Sequence, residues 1–91
     1  MLKIADGVRS THERDGAVVL DIRHGQMFTL NIVGSKIIEM MERDWPEAKI
    51  VEEISRAFGI RYDIVERDVR EFLECLEKHQ LLQSRTQNGG A

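Results

Sequence analysis

The feature that most constrains this chain is a single change of hydrophobic period at Asn31. Upstream, Asp15 to Gly34 reads DGAVVLDIRHGQMFTLNIVG, two short alternating segments separated by a glycine turn. Downstream, apolar residues recur at helical spacing. A chain that switches once from period two to period 3.6 keeps its strands apart from its helices, and that segregation specifies an α+β fold.

The strands come first. Asp15-Gly16 is a turn dipeptide that folds one strand back on the next, so the polar stretch Val8 to Arg14 reads as a first strand. Met1 to Asp6 reads as a loose lead-in. Ala17 to Ile22 alternates, with Val18, Leu20 and Ile22 on one face and Ala17, Val19 and Asp21 on the other. Arg23-His24-Gly25 is a second turn. Gln26 to Asn31 forms the third strand, with Phe28 and Leu30 sharing one face and Met27 and Thr29 the opposite one.

The helices follow. Asn31 is a favoured N-cap, because its side-chain oxygen accepts from an early helical N–H. Val33, Ile37, Met40 and Met41 then form one apolar stripe. Gly34 in the first turn lowers helix propensity, which points to close packing against a neighbouring backbone. Asp44-Trp45-Pro46 ends this helix, with Pro46 placed for the first turn of the next. Ile50, Val51, Ile54, Ala57 and Phe58 form the second stripe, and Gly59 is a left-handed C-terminal residue. Asp63 opens the third helix, with Glu66 three residues on in a capping-box arrangement. Its stripe is Val65, Val69, Phe72 and Leu76, widened by Ile64 and Leu73, and it ends near Lys78-His79. Leu81 and Leu82 tuck back onto the core. Ser84 to Ala91 has no large apolar residue and reads as a disordered tail. The pattern is a three-stranded antiparallel sheet followed by a three-helix, winged-helix-turn-helix-like body. It makes one domain over residues 1–83 with a tail at 84–91.

Composition narrows the function. Ninety-one residues carrying a net charge of −3 offer no diffuse electrostatic grip on nucleic acid. The exposed face of the third helix carries Glu66, Arg67, Arg70, Glu71, Glu74, Glu77 and Lys78. A phosphate-facing helix has the opposite balance. A single cysteine, Cys75, has no internal disulfide partner and suits a reducing, cytoplasmic setting. No apolar run approaches the ~20 residues that span a bilayer. His12, His24 and His79 fall in three separate segments, away from any metal-ligand spacing. No glycine loop is built to cradle a phosphate, and Cys75 reads as an inert, partly buried residue with no histidine placed beside it by spacing. Enzyme, metal and cofactor readings therefore lack residues to carry them.

The residues that remain point to peptide capture. A terminal strand of a small sheet leaves backbone donors and acceptors free, and such edges recruit extended peptides. If Gln26, Met27, Phe28, Thr29 and Leu30 lie on that edge, a guest strand adds beside them. Its side chains then enter a cleft floored by Val65, Val69 and Phe72, with Arg67, Asp68 and Arg70 at the rim. Leu76 joins this candidate set, although it also suits a core position.

The ordered run Leu20, Asp21, Gly25, Leu30, Asn31, Gly34, followed by Asp68, Val69, Phe72, Leu73, Leu76 and the closing Leu81-Leu82, resembles the PqqD-like family. That family comprises leader-recognition domains of ribosomally made, post-translationally modified peptides. The resemblance spans about residues 8–83. One departure is Gln80, where many relatives carry glycine. The resemblance implies a non-catalytic domain without a cofactor, which captures the leader of a precursor peptide by strand addition. It further implies a partner that modifies the precursor, either a leader protease with its cyclase, as in lasso-peptide pathways, or a radical-SAM enzyme, as in pyrroloquinoline quinone biosynthesis. The wording of the Leu20–Asn31 run looks closer to the lasso-type relatives. A monomer, or a weak homodimer through the free edge, is expected. The alternative is a winged-helix DNA-binding or protein-interaction module.

Overall fold

The computed structural model describes residues 3–83; the tail reading for Ser84–Ala91 lies outside the described residues. Three strands, β1 (Val8–Glu13), β2 (Gly16–Asp21) and β3 (Gln26–Asn31), precede three helices, α1 (Ile32–Glu42), α2 (Glu47–Phe58) and α3 (Tyr62–Lys78). The sheet is antiparallel in the order β1-β2-β3. β2 is therefore paired on both sides, and β3 keeps one edge unpaired among the described residues.

The Asp15-Gly16 turn works by close approach. Gly16 lies opposite Asn31, and a Cβ there would come within 2.0 Å of the Leu30 carbonyl oxygen. Only glycine lets the two backbones meet so closely at this point. The period change at Asn31 takes the expected form, with its side-chain oxygen accepting from the Gly34 N–H at 2.9 Å. β3 thus runs directly into α1 with no loop between them.

Of the two faces of β2, the buried one is Ala17, Val19 and Asp21, while Leu20 and Ile22 are 41% and 57% exposed. Alternation defines which residues share a face. Here the less apolar trio faces inward, and the β2–β3 turn supplies the partners of Asp21. Its carboxylate, buried completely, accepts from the Arg23 backbone N–H at 3.1 Å, from the Arg23 guanidinium at 3.0 and 3.2 Å, and pairs with His24 Nδ1 at 2.7 Å. A buried carboxylate is tolerable only with such compensation. The Arg23 guanidinium, followed by the His24 contact, holds the Asp21 carboxyl far below the usual carboxylate range despite its burial.

The helical body closes around Ile38, Met41, Ile50, Val51, Ile54 and Val69. Three details differ from the sequence reading. The stripe of α2 stops at Ile54, and Ala57 and Phe58 face solvent, because Gly59, left-handed at φ 64°, turns the chain away just beyond them. α3 starts one residue earlier, with Arg61 as its N-cap and no side-chain cap. Asp63, already inside the first turn, pairs with Arg61 at 2.9 Å instead of forming a capping box. Pro46 is the N-cap of α2, its carbonyl accepting from Lys49 and Ile50.

Within the lead-in, Lys3 to Ala5 are seated against the end of the described chain. Ala5 donates to the Leu81 carbonyl at 2.9 Å, Gln83 donates to the Lys3 carbonyl at 2.8 Å, and Ile4 bridges Leu82. The two ends of the described chain therefore pair with one another. Leu81 is buried as expected. Gln80, at the departure from the family pattern, adopts φ 61°.

Candidate functional site

β3 and α3 together frame a groove. Phe28 and Leu30 point from β3 toward the helices and are half-buried, while Met27 points the other way and is 69% exposed. The β3 chain runs counter to α3. Near its start, the Phe28 ring meets His79 edge-on at a centroid distance of 5.1 Å. Near its end, Leu30 and Phe72 converge on Gly34, whose added Cβ would lie 3.3 Å from each. Gly34 thus keeps side chains apart, where the sequence reading anticipated a neighbouring backbone.

At this end the groove deepens into a cavity of about 550 Å³, within the range typical of ligand pockets. β3 contributes Thr29, Leu30 and Asn31, and α1 contributes Val33, Gly34 and Ile37. Ile54 and Ile60 come from α2 and the turn after it; Val65, Asp68, Val69, Glu71 and Phe72 come from α3. The floor is apolar and nearly inaccessible, with Val65 and Val69 at 3% and 1% exposure. Phe72 is half-buried. The charged side chains in the lining are Asp68 and Glu71.

The sequence-derived set divides accordingly. Thr29, Leu30, Val65, Asp68, Val69 and Phe72 come together around the cavity. Gln26, Met27 and Phe28 lie along the same strand beyond it. Arg67 and Arg70 are exposed on α3 outside the lining, and Arg70 reaches Glu66 at 4.0 Å. Leu76, 3% exposed, packs in the core. Reasoning from the sequence did not single out Asn31, Val33, Gly34, Ile37, Ile54, Ile60 or Glu71 as groove residues. Val33, Ile37 and Ile54 belong to core-facing stripes and Ile60 to the turn after α2, and they line one groove only once β3, α1, α2 and α3 are assembled. Cys75 is exposed, not partly buried, and its sulfur lies 3.7 Å from His79 Nδ1.

The groove has the parts needed to accept an extended peptide: one strand edge with free backbone groups, an apolar trough beside it, and sparse charge at its rim. Among the described residues no group of three or more His, Cys, Asp or Glu side chains could hold a metal ion. Among the same residues, no helix is long and apolar enough to cross a membrane.

Residues 16–82 match the family model described as coenzyme PQQ synthesis protein D. The chain belongs to the PqqD family. Among solved structures, TbiB1 in complex with the TbiA(beta) leader peptide is similar at 36% sequence identity and a TM-score of 0.85, covering 90% of this chain and 95% of that one. A lasso peptide synthetase B1 complexed with the leader peptide shares the fold at a TM-score of 0.83 and 17% identity, covering 91% and 98%. No curated protein matches the chain. The PqqD fold is thus the α+β arrangement seen here, and the groove lies within the matched residues.

Proposed function

We propose that this PqqD-family chain captures the leader segment of a ribosomally made precursor peptide as an added strand on β3 and presents the precursor to an enzyme that modifies or cleaves it. The observation that carries the reading is the unpaired edge of β3 lying beside a cavity lined by Phe72, Val69 and Val65. The similarity to TbiB1, whose structure contains a leader peptide, supports it. In this reading β3 supplies backbone register and the trough supplies affinity, while the chemistry belongs to the partner, a leader protease with its cyclase or a radical-SAM enzyme. The domain itself works without a cofactor.

The test uses a synthetic peptide corresponding to the N-terminal half of a precursor encoded beside this gene. Titrated by fluorescence anisotropy, it binds at micromolar concentration or tighter. It loses little affinity between 50 and 300 mM salt, because backbone pairing and apolar contact dominate. Proline scanning through Met27, Phe28, Thr29 and Leu30 weakens binding where the lost N–H faces the guest, and destabilises the fold where it faces β2. Uniform tolerance of proline along β3, with binding intact, overturns strand addition.

A further inference from the structure

The groove carries a charge signature that apolar capture alone does not use. Its charged lining residues, Asp68 and Glu71, are both acids, one helical turn apart on α3. Neither joins an ion pair among the described residues, although the nearby Glu66, Asp63 and Glu53 each do. Both are exposed at the rim, and a guest bearing a cation would complete them.

Geometry sets where on the guest that cation sits. A guest strand on β3 turns alternate side chains inward, about 6.7 Å apart along the strand. The inward residue beside Leu30 enters the space over Gly34 and Phe72. Because β3 runs counter to α3, the next inward position past Leu30 faces the helix N-terminal to Phe72. Asp68 lies four residues before Phe72, about 6 Å along the helix axis. The two spacings agree to within an ångström.

Resting on the strand-addition reading, we propose that the guest peptide is basic at one fixed place, with lysine or arginine two residues from the large apolar side chain that fills the cavity, paired with Asp68 and Glu71. The apolar residue anchors and the cation sets which register binds. Guests bearing an acid at that place are rejected by like-charge repulsion.

The experiment selects binders from a phage-displayed library of random twelve-residue peptides, on the native chain and on the double variant D68K/E71K. Both substituted positions are exposed, and circular dichroism checks that the variant keeps its fold. Peptides selected on the native chain are expected to share a large apolar residue with lysine or arginine two positions away. Those selected on the variant keep the apolar residue and carry aspartate or glutamate at that offset. A native-selected peptide loses about tenfold in affinity on the variant, and the loss shrinks at 0.5 M salt. Selected peptides with a shared apolar residue but no charge preference at that offset, or a preference that the variant leaves unchanged, overturn the inference and leave groove capture standing. Failure to select any peptide on either protein overturns both.

Discussion

At the scale of single residues, two side chains sit where their chemistry alone would not place them. Gln80 adopts a left-handed backbone at φ 61°, a conformation that costs a non-glycine residue about 1–2 kcal/mol. The Gln80→Gly variant relieves that cost and loses part of the gain to the greater freedom of glycine in the unfolded chain. A net stabilisation of about 1 kcal/mol is expected, read as a higher urea midpoint; an unchanged or lower midpoint contradicts it. Asp21 works in the opposite sense. Its pKa is depressed in the fold by Arg23 and His24, so the unfolded chain takes up the proton first as pH falls. The stability it contributes is complete above its ordinary pKa of ~3.9 and is lost progressively as pH drops below that value toward the folded one. The native chain should therefore lose melting temperature between pH 5 and pH 2 more steeply than D21N, whose amide does not titrate. Parallel acid limbs for the two proteins would remove Asp21 as the cause.

At the scale of elements, what the sequence showed was periodicity, and what it withheld was orientation. The three strands, the handover at Asn31 and the apolar spacing of α3 are legible because each rests on a local rule: alternation, a side-chain cap, a repeat of three and four. The inward face of β2 was not legible, because alternation leaves two candidate faces and only packing against the helices chooses between them. Half of the groove was legible for a related reason. Val65, Val69 and Phe72 stand out on α3, whereas Gly34 and Ile60 become groove residues only when β3, α1 and α3 are assembled. Gly34 offers a clean separation of stability from binding. Alanine there gains helix propensity of about 1 kcal/mol. Its methyl would stand 3.3 Å from both Leu30 and Phe72, inside the cavity. The Gly34→Ala chain should keep its stability to within about 1 kcal/mol and bind the leader peptide severalfold more weakly; full affinity would show that the guest does not reach this floor. Truncation of Phe72 to alanine should weaken binding further, by tenfold or more, since it opens one wall.

At the scale of the whole molecule, side-chain hydrogen bonds tie the sheet to the helical body on two sides. On one side His12 Nδ1 and Ser35 Oγ hydrogen-bond at 2.8 Å, and Ser10 donates to Glu42 at 2.7 Å, linking β1 to α1. On the other, Arg23 donates to the Gln80 carbonyl at 2.6 Å, linking the β2–β3 turn to the segment after α3. The lead-in adds a third link through Ala5 and Leu81. Deleting residues 1–6 removes the three backbone hydrogen bonds made by the Ala5 N–H and by the Ala5 and Lys3 carbonyls, for an expected loss of about 3 kcal/mol. Urea denaturation measures the loss, and the affinity of the remaining folded fraction for the leader peptide should not change, because none of Lys3 to Asp6 lines the cavity.

The Ile4–Leu82 bridge has a consequence for how such a domain travels between proteins. Its entrance and exit lie side by side, so the unit can be spliced into a host loop as one would insert a cassette, with both joints at a single spot. None of Lys3 to Ala5 or Leu81 to Gln83 lines the cavity, so the insertion leaves its walls intact. A circular permutant that joins the two ends by a short linker and opens the chain at Asp15 should fold and retain its ligand, and loss of folding in that permutant would show that the paired ends do not act as a single joint.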